Sequence, residues 1–352
     1  MIFGSDNQSG ASERVLEGLM EAYRSPAPAY GRDPLCQAAK EKLKEVFDTD
    51  LSAFFVMSGT AANTLALSTL VQPWEGVVCY HQAHLLLDES TGPSLMTGGA
   101  ALLPIPSDET RILLPEFEAH LDRLPKNVPH NVRPAAFTLS QANEVGQIYS
   151  VDEVHALCGA AKERGLGVHM DGARFANAVA KLGCHPADIS WRAGVDVLCL
   201  GATKNGAVAA EAVIFFNKDL AKDFSYRVKR SGHLVSKGRL FGAQFLSWLE
   251  DDHWLELATT ANRAAENLRQ GLAALPGVRL AFPTQSNELF VIMPKELFKT
   301  LTGAGATLFP WPLDVLPSGA TVGPDEMLAR LVTSFATQKD EVDAFLSLAK
   351  KG

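Results

Sequence analysis

Short apolar runs that each end at a turn or a helix cap constrain this chain more than any other feature. Ala53-Phe54-Phe55-Val56-Met57, Val77-Val78-Cys79-Tyr80, Ala135-Ala136-Phe137-Thr138-Leu139, Val168-His169-Met170 and Val195-Asp196-Val197-Leu198-Cys199-Leu200 are all of this kind. Each is too short for a buried helix, and apolarity without polar alternation predicts strands covered on both faces. Helical stretches separate them, one opening at Ser58 or just after it. Strands and helices in alternation make an α/β domain with a mostly parallel sheet flanked by helices.

Length and texture then divide the chain. A chain of 352 residues exceeds what one hydrophobic core usually supports. Two helices precede the strands. One follows Ser12, with Val15, Leu16, Leu19, Met20 and Tyr23 on one side, and one follows the capping pair Asp33-Pro34. After about residue 250 the pattern changes. A helix from Trp254 to Leu275 stops at Pro276-Gly277, and strands are predicted at Val278–Phe282, Glu288–Met293 and Arg330–Phe335, with a last helix near Lys339–Lys350. The reading is a large α/β domain over 12–250 and a small α+β domain over 251–352, with residues 1–11 near the latter.

Composition narrows the partners. The net charge of −8 and the lack of any basic block argue against nucleic acid and anionic membrane. The N-terminus has no basic region followed by an apolar stretch, so no secretory signal is predicted. The most apolar window, Ala207 to Phe216, is interrupted by Glu211 and is about half the length that spans a bilayer. Cys36, Cys79, Cys158, Cys184 and Cys199 form no CxxC pair and read as reduced thiols of a cytoplasmic protein.

The common nucleotide and zinc signatures (GxGxxG after a strand, Walker A, HExxH) are missing. His81-Gln82-Ala83-His84 has no carboxylate or cysteine cluster beside it in the sequence, so no metal site is expected. Four other features carry chemistry. Ser58-Gly59-Thr60-Ala61-Ala62-Asn63 sits between a strand and a helix, where small residues let backbone N–H groups approach an anion. An ordinary N-cap with small residues for packing has the same pattern. Asp171, in His169-Met170-Asp171-Gly172-Ala173-Arg174, ends a strand at the crevice where α/β sheets bind ligands. A carboxylate there can keep a pyridine nitrogen protonated, although a helix cap is the plainer reading. Lys204, in Gly201-Ala202-Thr203-Lys204-Asn205-Gly206, follows another strand. In an apolar pocket its amine would have a lowered pKa and could condense with an aldehyde. The spacing from Asp171 to Lys204 is that of one βαβ unit. His84, after the run Val77–Tyr80, can stack on a flat ring or serve a hydroxyl, or be a satisfied structural histidine.

Anion loop, histidine, aspartate and lysine in this order resemble the threonine aldolase group of the β-eliminating lyases, which are fold-type I pyridoxal-phosphate enzymes. The resemblance extends to Ser5-Asp6, Tyr30-Gly31-Arg32-Asp33-Pro34 and Arg330-Leu331-Val332-Thr333. It implies pyridoxal 5′-phosphate as cofactor. Gly59 and Thr60 would hold its phosphate, His84 would stack on the ring, and Asp171 would pair with the ring nitrogen. Arg174 would lie near the phenolic oxygen, and Lys204 would carry the aldehyde carbon. Ser5 and Arg330 would hold the substrate carboxylate; an exposed strand arginine is the plainer reading of the latter. The implied activity is cleavage of L-threonine, L-allo-threonine or a related β-hydroxy-α-amino acid to glycine and an aldehyde. His84, or a water it holds, would take the hydroxyl proton. A homodimer or homotetramer with shared active sites is also implied.

The chain departs from the family in two places. Ser140-Gln141-Ala142-Asn143-Glu144 stands where many members carry Glu-Asn-Thr-His-Asn, so a second histidine is missing. Tyr226-Arg227-Val228-Lys229-Arg230-Ser231-Gly232-His233 replaces the usual basic stretch, and a residue of Arg227–Arg230 would reach a neighbour's phosphate. Both point to a subgroup for bulkier, aryl β-substituents such as phenylserine. The rivals are another pyridoxal-phosphate lyase, a racemase or transaminase, and a non-catalytic scaffold on the same fold.

Overall fold

The computed structural model describes residues 1–107, 109–125 and 128–351. Its main sheet has seven strands: β1 (Ser52–Val56), β2 (Glu75–Tyr80), β3 (Ala101–Ile105), β4 (Arg133–Ser140), β5 (Gly167–Gly172), β6 (Val197–Gly201) and β7 (Glu211–Phe215). They lie in the order β1-β7-β6-β5-β4-β2-β3. From β3 to β6 every neighbouring pair is parallel. β7 runs antiparallel to both β6 and β1. Two reversals return β1 to the common direction, so β1, β2, β4, β5 and β6 all end at one edge. Helices Gly59–Leu70 and Val151–Glu163 pack against the sheet, and β2, β5, β6 and β7 are buried nearly throughout.

β7 was not expected. The apolar window containing Glu211 becomes a fully buried strand because the turn after β6 folds it straight back onto that strand. A buried strand shows no alternation by which to recognise it.

A second sheet, in the order β10-β11-β9-β8, is antiparallel: β8 (Arg279–Leu280), β9 (Glu288–Pro294), β10 (Phe309–Pro310) and β11 (Glu326–Val332). Leu268 and Leu272 of helix His253–Ala273, Leu297 and Leu301 of helix Lys295–Gly303, and Val342 and Phe345 of helix Lys339–Ala349 share a buried core with β9 and β11. Phe3 is fully buried in the same core, and the Phe3 carbonyl accepts the Val332 N–H at 2.8 Å. The N-terminus is therefore stitched to this sheet. β11 lies earlier than the expected Arg330–Phe335, which places Arg330 inside the strand, opposite Phe290.

The apolar side of the first helix, Glu13–Ala22, is largely uncovered. Val15 is buried, but Leu16, Met20 and Tyr23 are exposed. All five cysteines are free thiols, four of them buried. Among the described residues no helix is long and apolar enough to cross a membrane.

Candidate active site

The shared edge of the parallel strands carries a pocket lined by Gly59, Asn63, His84, Asp171, Arg174 and Lys204, with the loop Ser140–Glu144 closing one side. Gly59 starts the helix after β1, and His84 starts the short helix after β2. Ser140 ends β4, Asp171 lies near the end of β5, and Lys204 follows β6 in the turn Thr203–Asn205. The chain order of these residues thus becomes convergence in space, since every strand exits at the same edge.

Local packing explains several of these placements. At Gly172 a Cβ would lie 2.6 Å from the Cys199 carbonyl oxygen, so the residue after Asp171 must be glycine for β5 and β6 to pack. The Lys204 turn is pinned on both sides. Asn205 Nδ2 donates to the Trp254 carbonyl and Trp248 Nε1 donates to the Asn205 carbonyl, both at 2.8 Å. At Gly59 a Cβ would meet nothing within 4 Å, so the space ahead of the helix is open. Ser58 occupies the Ala61 amide through its hydroxyl and the Ala62 amide through its carbonyl. The leading amides at Gly59 and Thr60 have no partner within their own helix, which suits an anion.

Asp171 is buried and doubly anchored. Oδ1 accepts the Ala173 N–H at 2.9 Å, and Oδ2 accepts from Asn63 Nδ2 at 2.8 Å. Burial opposes its charge, but His84, the Ala173 amide and Lys204 hold the carboxyl below the ordinary range. Asp171 therefore offers a fixed negative charge. Beneath it His169 is pushed down to about 4, chiefly by burial, and contacts the Thr138 hydroxyl through Nδ1 at 2.7 Å.

His84 is half-buried, and its Nδ1 lies 2.8 Å from Glu89 Oε1. That hydrogen bond is the main reason its pKa is raised. With Nδ1 on a carboxylate, Nε2 is the nitrogen left to act on a ligand. His84, Glu89 and Asp171 could in principle hold a cation. The Asn63 amide, however, donates to both carboxylates, at 2.9 Å to Glu89 and 2.8 Å to Asp171. Donors already on those oxygens make this a hydrogen-bond network rather than a cation cage.

Lys204 differs from expectation in its surroundings. The reading from the sequence was an apolar pocket, but its charge acts on Asp6, Asp171, Glu211 and Glu288. The apolar residues before Lys204 belong to β6 and the sheet interior, whereas the turn delivers its amine to the polar edge.

Arg174 lies deeper, in a buried ionic cluster. Nε and Nη2 donate to Asp6 at 2.8 and 3.0 Å, and Nη1 lies 3.2 Å from Glu288. Burial opposes the charge of Asp6, yet Arg174 and Lys204 keep its carboxyl low. Arg330, whose charge also acts on Glu288, lies 4.1 Å above the Trp311 ring, with Nη2 donating to the Gly4 carbonyl at 3.2 Å. Its Nε has no hydrogen-bond partner. Ser5 caps the first short helix by accepting the Asn7 N–H at 3.2 Å. Thr60, Ser5 and Arg330 are not among the residues lining the pocket itself.

The residues present fit pyridoxal 5′-phosphate. An open glycine-led helix start, a buried carboxylate held ionised and a lysine amine line one pocket. Residues that sequence reasoning missed are Asn63, Glu89, Glu211, Glu288 and the role of Glu144. Asn63 lay inside a quoted motif, but nothing in its spacing from Glu89 or Asp171 marks it as their shared donor.

Comparison with known proteins agrees with this chemistry. The family model described as beta-eliminating lyase matches residues 3–295. The chain is 43% identical over 303 residues to the low specificity L-threonine aldolase of Pseudomonas aeruginosa, covering 86% of this chain and 87% of that one. Identity to the enzyme of the same name from another Pseudomonas is 41% over 304 residues, again covering 86% and 87%. A structure of threonine aldolase from Leishmania major aligns with a TM-score of 0.91 at 28% identity, covering 99% of this chain and 98% of that one.

Proposed function

This chain belongs to the beta-eliminating lyase family, and on that premise we propose that it cleaves L-threonine, L-allo-threonine or related β-hydroxy-α-amino acids, L-phenylserine included, to glycine and an aldehyde. It is a pyridoxal-phosphate-dependent carbon–carbon lyase of fold type I. The observation that carries the reading is that Asp171, near the end of β5, and Lys204, in the turn after the neighbouring β6, line the same pocket as Gly59 and His84.

Gly59 and Thr60 would hold the cofactor phosphate, His84 would cover the ring, Asp171 would pair with the ring nitrogen and Lys204 would hold the aldehyde carbon. Bound there, the cofactor supplies an electron sink beside the substrate's amino group. Asp171 would keep the ring nitrogen protonated. Arg174, tied to Asp6 and Glu288, would stand near the phenolic oxygen. Arg330, with an unpartnered Nε, would turn to the substrate carboxylate together with Ser5. A planar guanidinium orients a carboxylate through two parallel hydrogen bonds. His84 Nε2, or a water it holds, would receive the hydroxyl proton.

We place the large domain at 12–250 and the small one at 251–352, and read the protein as a cytoplasmic homodimer or homotetramer with shared active sites. The uncovered side of helix Glu13–Ala22 supports an assembly. Within Arg227–Arg230, Arg227 donates to Ser68 and Lys229 lies over Tyr30, which leaves Arg230 to reach a neighbour's pocket. The deciding experiment is product identification from a panel of β-hydroxy-α-amino acids. Glycine and aldehyde in equal amounts are expected; keto acid, ammonia or racemised substrate as the main product would overturn the reading.

A further inference from the structure

The loop after β4 carries an acid–base group that the reading above leaves without a role. Glu144 lines the pocket with His84, Asp171 and Lys204. Its Oε1 accepts from the Ser140 hydroxyl at 2.6 Å and from the His84 backbone N–H at 3.0 Å. Because Oε1 receives both donors, Oε2 keeps a lone pair for a proton.

The loop itself is rigidly braced. Asn143 also lines the pocket, but its Oδ1 accepts the Val145 and Gln147 N–H groups at 3.1 and 2.9 Å, and its Nδ2 donates to the Thr110 carbonyl at 2.8 Å. Ser286 holds the Gly146 carbonyl at 3.1 Å from the other side. Asn143 is thereby committed to the turn. Among the described residues of this wall, His84 and Glu144 are the two side chains able to take up a proton.

We propose that Glu144 is a second proton acceptor for the substrate's β-hydroxyl, working beside His84 on the same wall of the pocket. The proposal rests on the aldolase reading above. In the forward direction the hydroxyl proton passes to the Glu144 carboxylate. The O–H electron pair becomes the second bond of the aldehyde carbonyl. The Cα–Cβ bond breaks and its pair stays with the glycine carbon, which then takes up one proton, so no oxidant or reductant is needed.

Two acceptors have a physical reason. Glu89 raises His84, so the imidazole carries a proton over more of the neutral range, and an imidazolium cannot accept another. A carboxylate still can. Burial, reinforced by the Asp171 charge, pushes Glu144 up against its Ser140 and His84 donors, which makes the ionised form a stronger base. The titratable groups facing it are His84, Asp171 and Lys204 in the pocket, with Cys79, Tyr80 and Tyr149 behind.

The test is Glu144→Gln in the holoenzyme. Glutamine can still accept from His84 and Ser140 but cannot take a proton. Glycine release should fall by roughly 100-fold or more, and the acidic limb of the kcat/KM profile should lose one ionisation. The cofactor's visible absorbance and the melting temperature should be unchanged. Independently, infrared titration of cofactor-free wild type should show a carboxyl band that Glu144→Gln lacks. Ser140→Ala, which removes a donor to the ionised form, should move the acidic limb to higher pH. A Glu144→Gln rate within about threefold of wild type with the same acidic limb would overturn the proposal, as would an acidic limb unmoved by Ser140→Ala. If wild type releases glycine while both variants behave like it, this inference fails alone. If wild type releases keto acid, the aldolase reading fails.

Discussion

Asn63 Nδ2 lies 2.8 Å from Asp171 Oδ2, and the same nitrogen donates to Glu89 at 2.9 Å. One amide thus ties the carboxylate proposed to pair with the ring nitrogen to the carboxylate that hydrogen-bonds His84. Asn63→Ala should leave both buried acids short of a donor. A loss of about 1–3 kcal/mol in the stability of the cofactor-free protein is expected, measured by urea unfolding. An unchanged unfolding midpoint would show that other groups satisfy the pair.

Asp171→Asn keeps the shape but removes the charge, and its single amide oxygen can accept from only one of the two donors that Asp171 holds on separate oxygens, the Ala173 N–H and Asn63 Nδ2. Far-ultraviolet circular dichroism should be unaltered. Turnover should drop by orders of magnitude, on the order of several kcal/mol in the barrier. Near-normal turnover would reduce Asp171 to a structural cap.

Lys204 is expected to carry the cofactor. The purified protein should be yellow, and borohydride reduction followed by peptide mapping should find the cofactor on the peptide that contains Lys204. Label on another lysine would end the assignment.

Arg330→Lys tests the carboxylate grip. Lysine retains the charge but loses the planar pair of donors, and it also loses the stacking on Trp311 seen at 4.1 Å. KM should rise and kcat should fall together, because binding and bond orientation go at once. A change in KM alone would mean that Arg330 only attracts the substrate.

Glu211, opposite Gly201 across β6 and β7, predicts a pH dependence of stability. Burial, opposed by Thr203 and Lys204, raises its carboxyl from 4.5 to about 7. Between those values the folded protein holds a proton that the unfolded chain has released, so stability falls as pH rises through this range. The rise corresponds to on the order of 3 kcal/mol, fully felt above about pH 7. Glu211→Gln should flatten the loss of stability of the cofactor-free protein between pH 5 and 8, followed by thermal unfolding. Parallel curves for the two proteins would contradict this.

Much of the site was legible in the chain because of how α/β folds are built. Gly59, His84, Asp171 and Lys204 each follow an apolar run, and parallel strands must exit at a common edge, so order along the chain implied meeting in space. The fold class followed from the same runs. Periodicity, however, reports only which residues are apolar. It placed Leu16, Met20 and Tyr23 on one side of the first helix with Val15, and only the structure shows that Val15 is buried while those three are exposed on this chain by itself.

The polar machinery around those residues was decided by tertiary structure. Asn63 lies on the helix Gly59–Leu70 and Glu89 in the turn after the short helix His84–Leu87, Glu211 in a buried strand, and Asp6 and Glu288 in segments far apart along the chain. None sits in a pattern that separates it from an ordinary surface carboxylate or amide. Their effect depends on burial and on approach within about 3 Å, as when Asp6 and Glu288 close on Arg174 from two distant segments. Sequence alone settled which residue types lie at the strand ends, because backbone hydrogen bonding and apolar burial act over short stretches of chain. Electrostatics falls off with distance in space rather than along the chain, so which charges face one another was settled only when the two sheets and the N-terminal segment came together.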